Sequence, residues 1–203
     1  GIDIMLAIDV STSMLAEDLK PNRLEAAKDV AAEFINGRPN DNIGITLFAG
    51  ETFTQCPLTV DHAVLLDMIH NIKCGLITDG TAVGMGIANA VTRLKDSKAK
   101  SKVIILLTDG TNNKGDISPM TAAEIAKSFG IRVYTIGVGT NGMAPYPYPV
   151  GNTVQYVSMP VEIDEKTLTE IAGTTDGNYF RATSNSKLKE VYEEIDKLEK
   201  TKL

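Results

Sequence analysis

Two stretches of the chain are apolar almost without interruption, and each ends in an aspartate. Ile4-Met5-Leu6-Ala7-Ile8 runs into Asp9-Val10-Ser11-Thr12-Ser13, and Val103-Ile104-Ile105-Leu106-Leu107-Thr108 runs into Asp109. Apolar runs of this length, bounded by polar turn residues, read as strands buried on both faces. Between them, Leu24, Ala27, Ala31, Phe34 and Ile35 recur at helical spacing behind Pro21-Asn22-Arg23, until Gly37 to Asn42 breaks the pattern. Ile43 to Ala49 is a second apolar strand. Gly50-Glu51 turns it into Thr52 to Cys56, a short alternating strand expected as a hairpin partner and stopped by Pro57. Asp61 is placed to cap a helix over Ala63 to Ile72, and the polar turn Thr78-Asp79-Gly80-Thr81 precedes another over Ala82 to Leu94. Lys95 to Lys102 reads as a solvated basic loop.

Past Asp109-Gly110-Thr111-Asn112-Asn113, the pair Ser118-Pro119 supplies a cap and a first-turn proline for a further helix. Arg132 to Val138 is a strand ending at Gly139. Met143 to Met159 carries Pro145-Tyr146-Pro147-Tyr148-Pro149 and then the alternating Thr153 to Val157, expected as a protruding loop or hairpin. Asp164 caps a helix ending near Gly173, Asn178 to Arg181 is a last short strand, and Leu188, Val191, Tyr192, Ile195 and Leu198 mark a closing amphipathic helix. Strands alternating with helices imply an α/β fold: a three-layer, doubly wound, mainly parallel sheet with one antiparallel edge strand and helices on both faces. No linker interrupts the alternation over residues 1–203, which reads as one domain.

Composition narrows the function more than the fold. At 43% hydrophobic and 23% charged the 203 residues are ordinary for a globular chain, and a net charge of -6 excludes a nucleic-acid surface. The same charge offers no attraction to anionic lipid, and no stretch is long and apolar enough to span a bilayer. The chain begins almost flush with its first strand, which suggests a fragment of a larger protein. Cys56 and Cys74 lack metal-site spacing and read as two small buried side chains, with a disulfide the alternative. His62 and His70 have no acidic or thiol partner at ligand spacing.

The candidate chemistry gathers at one sheet edge. Carboxyl ends of parallel strands lie together, and ligands of open α/β sheets bind there. Asp9 and Asp109 therefore share that edge and approach one ion if their strands are neighbours. Ser11 and Ser13 follow Asp9 at alternate positions, so the three side chains can converge. Thr81, at the start of a helix, adds a third hydroxyl; its plainer role would be to cap that helix. Carboxylates mixed with neutral oxygens suit a hard divalent cation such as Mg2+, with Mn2+ or Ca2+ as substitutes.

The set Asp9-x-Ser11-x-Ser13, Thr81 and Asp109 resembles the metal-ion-dependent adhesion site of von Willebrand factor A domains. That resemblance implies Ser11, Ser13 and Thr81 as direct Mg2+ ligands and Asp9 and Asp109 acting mainly through bound water. Ser13-Met14-x-Ala16-x-Asp18, Pro21-Asn22-Arg23-Leu24, Phe48-Ala49-Gly50, Gln55-x-Pro57-Leu58-Thr59-x-Asp61, Leu107-Thr108-Asp109-Gly110 and Tyr179-Phe180-Arg181-Ala182 resemble the bacterial Bat aerotolerance proteins. This second likeness covers nearly the whole chain. It implies an inner-membrane protein whose A domain lies between transmembrane helices, exposed to periplasm or cytoplasm, and which works with other Bat-type proteins.

Neutral hydroxyls and water-mediated acids leave the charge of a bound Mg2+ under-compensated, so an Asp or Glu of a protein partner could fill an open position. The expectation is a non-catalytic module that docks a partner carboxylate, with Tyr146 and Tyr148 forming a rim that contacts the partner and no direct membrane contact by this part of the chain. The alternative is a metal-dependent phosphatase or hydrolase. It is weakened by Ser11, which stands where an aspartyl-phosphate enzyme wants a second acid, and by the lack of any His, Lys or Cys in these loops to act as base or nucleophile. Gly137-x-Gly139-x-x-Gly142 follows a strand, as a dinucleotide fingerprint would, but Met143-Ala144-Pro145 cannot continue as a helix.

Overall fold

The computed structural model describes residues 1–202. Its main sheet has six strands: β1 (Ile2–Asp9), β2 (Asn42–Phe48), β3 (Thr52–Thr59), β4 (Ser101–Thr108), β5 (Ile131–Val138) and β8 (Tyr179–Ala182). They lie in the order β3-β2-β1-β4-β5-β8. Every neighbouring pair is parallel except β2 with β3. This is the expected mainly parallel sheet with one antiparallel edge strand.

The two layers of helices follow from the period of two along a strand. On β1, Ile4, Leu6 and Ile8 face one core together with α1 (Arg23–Asn36), α2 (His62–His70) and α6 (Asn185–Thr201). Met5 and Ala7 face the other core with α3 (Val83–Leu94), α4 (Pro119–Ser128) and α5 (Glu165–Thr174). β4 splits the same way, Val103, Ile105 and Leu107 to the first core and Ile104 and Leu106 to the second. Both central strands are thus buried on both faces, which is why neither shows alternation in sequence.

Helix starts are where short polar side chains satisfy free N–H groups. Asn22 accepts from Glu25 N, Asp61 from Val64 N, Ser118 from Thr121 N and Asp164 from Thr167 N. Two boundaries differ from expectation. β3 does not stop at Pro57 but continues to Thr59, because it is the edge strand and its register slips against β2 between Ile43 and Thr46. An edge position beside such an irregularity tolerates a residue that cannot donate. β4 begins at Ser101, inside the segment expected as a solvated loop. Cys56 and Cys74 are both free, the first buried and the second half-buried.

The remaining element is a separate two-stranded antiparallel hairpin, β6 (Met143–Val150) with β7 (Thr153–Pro160). Gly151, at φ +60, opens its two-residue turn, a conformation that glycine adopts without steric cost.

Candidate metal centre

β1 and β4 are immediate neighbours, with Ile8 opposite Leu107. β2 lies on the other side of β1, so the strand order reverses there and a crevice opens above the ends of β1 and β4. Asp9 and Asp109 sit in that crevice, both buried.

Each acid is held by a different kind of partner. Asp9 Oδ1 accepts from Ser11 N at 2.9 Å and Oδ2 from Thr108 Oγ1 at 2.8 Å. Ser11 Oγ and Ser13 Oγ are 3.0 Å apart, and Ser13 Oγ donates to Asp109 Oδ1 at 2.9 Å. A 3-10 turn over Thr12–Leu15 tucks these hydroxyls over the strand ends. Burial, then the charge of Asp109, pushes the Asp9 carboxyl well above the usual range. Burial also raises Asp109, opposed chiefly by the charge of Arg23. Two buried acids that both resist ionisation form a site that a cation would relieve.

Thr81 reaches the same crevice from the start of α3. Its hydroxyl lies 3.7 Å from where a side chain on Gly110 would begin. Thr81 and Asn113 bond each other twice, Asn113 N to Thr81 O and Thr81 N to Asn113 Oδ1, each at 2.9 Å. The capping role open to Thr81 is taken instead by Asn112, whose Oδ1 accepts from Val83 N at 2.9 Å. Among the described residues the Thr81 hydroxyl makes no hydrogen bond. The loop after β4 and the start of α3 are therefore fastened together, with one hydroxyl left over beside Gly110.

Sequence reasoning missed Arg23 as part of this centre. Its Nη1 donates to Asp109 Oδ2 at 2.8 Å, while Nε and Nη2 form a fork on Asp18, each at 2.7 Å. The side chain is fully buried, and Asp18 also accepts from Thr140 N at 2.9 Å. The ring of Tyr146 lies against the guanidinium, 5.1 Å from centroid to carbon. The only sequence sign was a charged residue inside the first turn of an amphipathic helix, five residues after an acid. Asp79 stood in the sequence only as part of the polar turn Thr78-Asp79-Gly80-Thr81. It instead holds the site loop, accepting from Thr12 N at 3.1 Å and from Thr12 Oγ1 at 2.8 Å. Tyr148, the second expected rim residue, is exposed on the hairpin.

Cys74 also stands beside the loop, although not within it, its Sγ donating to Ser11 O at 3.4 Å. Burial, followed by the charges of Asp9 and Asp109, pushes this thiol up to about 12, which keeps it protonated at neutral pH. No cluster of three or more His, Cys, Asp and Glu side chains poised for a metal exists among the described residues. A set of two acids and three hydroxyls is a hard, oxygen-only set, the kind that suits a hard divalent cation. The glycine pattern after β5 leads into the hairpin and not into a helix, so it is no dinucleotide fingerprint.

An open, mostly parallel sheet with acids and hydroxyls meeting at its switch point defines a Rossmann-like α/β domain, a class of sheet whose ligands bind at that edge. The chain belongs to the von Willebrand factor type A domain family, whose model matches residues 3–194. It is similar to the conserved hypothetical protein BatB from Bacteroides thetaiotaomicron, with 34% identity and a TM-score of 0.85 over 98% of this chain and 100% of that one. It is similar also to an aerotolerance-related membrane protein from Bacteroides fragilis, at 34% identity and TM-score 0.83, covering 97% and 100% of the two chains. An uncharacterized protein of Borreliella burgdorferi is 29% identical over 201 residues, 98% of this chain. The chain spans 59% of the length of that relative. No described helix is long and apolar enough to cross a membrane.

Proposed function

We propose that this domain is a non-catalytic docking module in which Ser11, Ser13 and Thr81, with Asp9 and Asp109 mainly through water, hold Mg2+ to receive an Asp or Glu carboxylate from a protein partner. The observation that carries the reading is the convergence of three remote segments: the Ser11–Ser13–Asp109 chain of hydrogen bonds, Asp9 beneath it, and the unbonded Thr81 hydroxyl above Gly110. When bound, the cation would supply a positive charge that the chain only partly compensates. Part of the charge of Asp109 is already answered by Arg23, which sharpens the need for an outside anion.

The chain's own residues do the rest. Asp79 fixes Thr12, Asn112 fixes the start of α3, and the Asp18–Arg23 fork fixes the free oxygen of Asp109. Tyr148 stands exposed as rim contact for the partner, while Tyr146 serves as the footing that joins the hairpin to Arg23. Mn2+ or Ca2+ could occupy the same oxygens. The similarity to Bat proteins points to related Bat-type chains as partners and to a membrane-anchored whole protein. The hydrolase reading would need a base at the site, and Asp79 there accepts two hydrogen bonds from Thr12.

Titration calorimetry with Mg2+, Mn2+ and Ca2+ tests the centre, and capture from native bacterial membranes tests the docking. Wild type in Mg2+ should retain a partner that is lost in chelator and with Asp9→Ala. Retention in all three conditions overturns the reading.

A further inference from the structure

We propose that the outer edge of β7 pairs with the same edge of a second copy of this chain, joining two hairpins into one four-stranded antiparallel sheet. Three features of the hairpin lead there, and none depends on the metal centre.

The first is which backbone groups face outwards. The turn at Gly151-Asn152 makes Val150 and Thr153 a hydrogen-bonded pair, so bonded and non-bonded pairs alternate from there along the register. Pro145, Pro147 and Pro149 all fall on non-bonded positions, where the missing N–H points out of the hairpin. The outer edge of β6 therefore has almost no donors, and its Pro145 O is already taken by Glu17 N at 3.0 Å. On β7 the outward groups belong to Val154, Tyr156 and Ser158. Each has both an N–H and a C=O, and among the described residues none has a backbone partner on that side. One edge is closed by imino acids and the other is ready to pair.

The second is charge. The hairpin from Met143 to Pro160 contains no Asp, Glu, Lys or Arg, in a chain that is 23% charged. Open edges are usually guarded by charges that repel a copy. Here the guard is missing on the one edge that can pair. The strand itself carries no charge to repel its copy, and the one carboxylate against it, that of Glu17, is engaged by the Tyr156 phenol of its own chain.

The third is exposure. Val154 is 58% and Tyr156 55% exposed, and a two-stranded hairpin is marginal in water without further strands. The outward groups are self-complementary: with Tyr156 opposite its own copy, Val154 meets Ser158 of the copy, and the two-fold relation repeats the contact. The shared pairing places two Tyr156 rings on one face, each beside its own Pro147.

Sedimentation equilibrium at rising concentration, in Mg2+ and in chelator, tests the pairing. Wild type should reach a dimer in both, with the Val154, Tyr156 and Ser158 amides gaining hydrogen-exchange protection in step with dimer mass. Tyr156→Pro removes the central donor at a position the hairpin tolerates, as the prolines of β6 show. It should raise the dimer dissociation constant about tenfold or more, because symmetry deletes two hydrogen bonds at once. Unchanged exchange in β1 and β4 of the variant reports an intact fold. A wild type that stays monomeric at its solubility limit, protection that appears elsewhere, or a variant that dimerises as well as wild type overturns the proposal. Protection in the monomer only on adding an extended foreign peptide would assign the edge to a different partner and overturn it equally.

Discussion

The crevice above β1 and β4 and the hairpin of β6 and β7 are adjacent, yet they are built on opposite terms. In the crevice every acid has at least two partners, the side chains are buried, and the positions are set by strands packed on both faces. In the hairpin all eight residues of β7 are exposed and only Ala144 of β6 is fully buried. The first is a place where geometry is over-determined and a substitution is costly. The second is held by its own ladder and by the contacts of Tyr146 and Glu17, so its distal half is free to meet other molecules. On the proposed docking reading the two serve different needs: a rigid point of attachment and a surface that costs little to vary.

That contrast can be broken by measurement. The largest effect should come from Arg23→Ala, which leaves Asp18 and Asp109 buried without their cation. A loss of about 3–5 kcal/mol is expected from chemical denaturation, and a loss under about 1 kcal/mol would mean that the centre is not over-determined. Gly84→Ala comes next. A side chain there would begin 2.1 Å from Ile117 O, so α3 must shift and carry Thr81 with it. About 1–3 kcal/mol of destabilisation should accompany weaker Mg2+ binding by calorimetry; unaltered binding would separate Thr81 from the centre. Tyr146→Ala should cost about 1 kcal/mol through the lost stacking on Arg23, read as a small fall in Tm. Tyr148→Ser should change stability by less than about 0.5 kcal/mol while weakening partner capture; an effect as large as that of Arg23→Ala would erase the distinction between the two regions.

Acid should sharpen the same comparison from the side of Asp18. Burial raises this carboxyl, but hydrogen bonds from Arg23 and Thr140 outweigh it and hold it below its ordinary value. A lowered folded value gives stability that is complete above the unfolded value of about 3.9 and is lost as pH falls through the lower folded one. Thermal unfolding followed downward from about pH 5 should therefore decline more steeply for wild type than for Asp18→Asn, and equal slopes would remove Asp18 from the account.

How far the sequence disclosed all this depends on the kind of signal. β1 and β4 were legible because strands buried on both faces need unbroken apolar runs, and their acids were conspicuous as the first polar residues after them. The neighbourhood of those strands was only conditional until the sheet order placed β4 against β1. Arg23 was hidden because a cation in the first turn of a helix usually faces water; nothing local says that a crevice folds over it. Pro57 misled because a proline ends a central strand but not an edge strand with an irregular register. The alternation of Pro145, Pro147 and Pro149 was visible, while its meaning waited on the turn at Gly151, which decides whether the odd positions point in or out.

Those imino acids also bear on what crowding would do. A ribbon able to accept neighbours on either flank can elongate into a filament without end. With one flank barren, addition stops after a single partner, so even a high local density of these chains would yield discrete pairs and leave no growing tip.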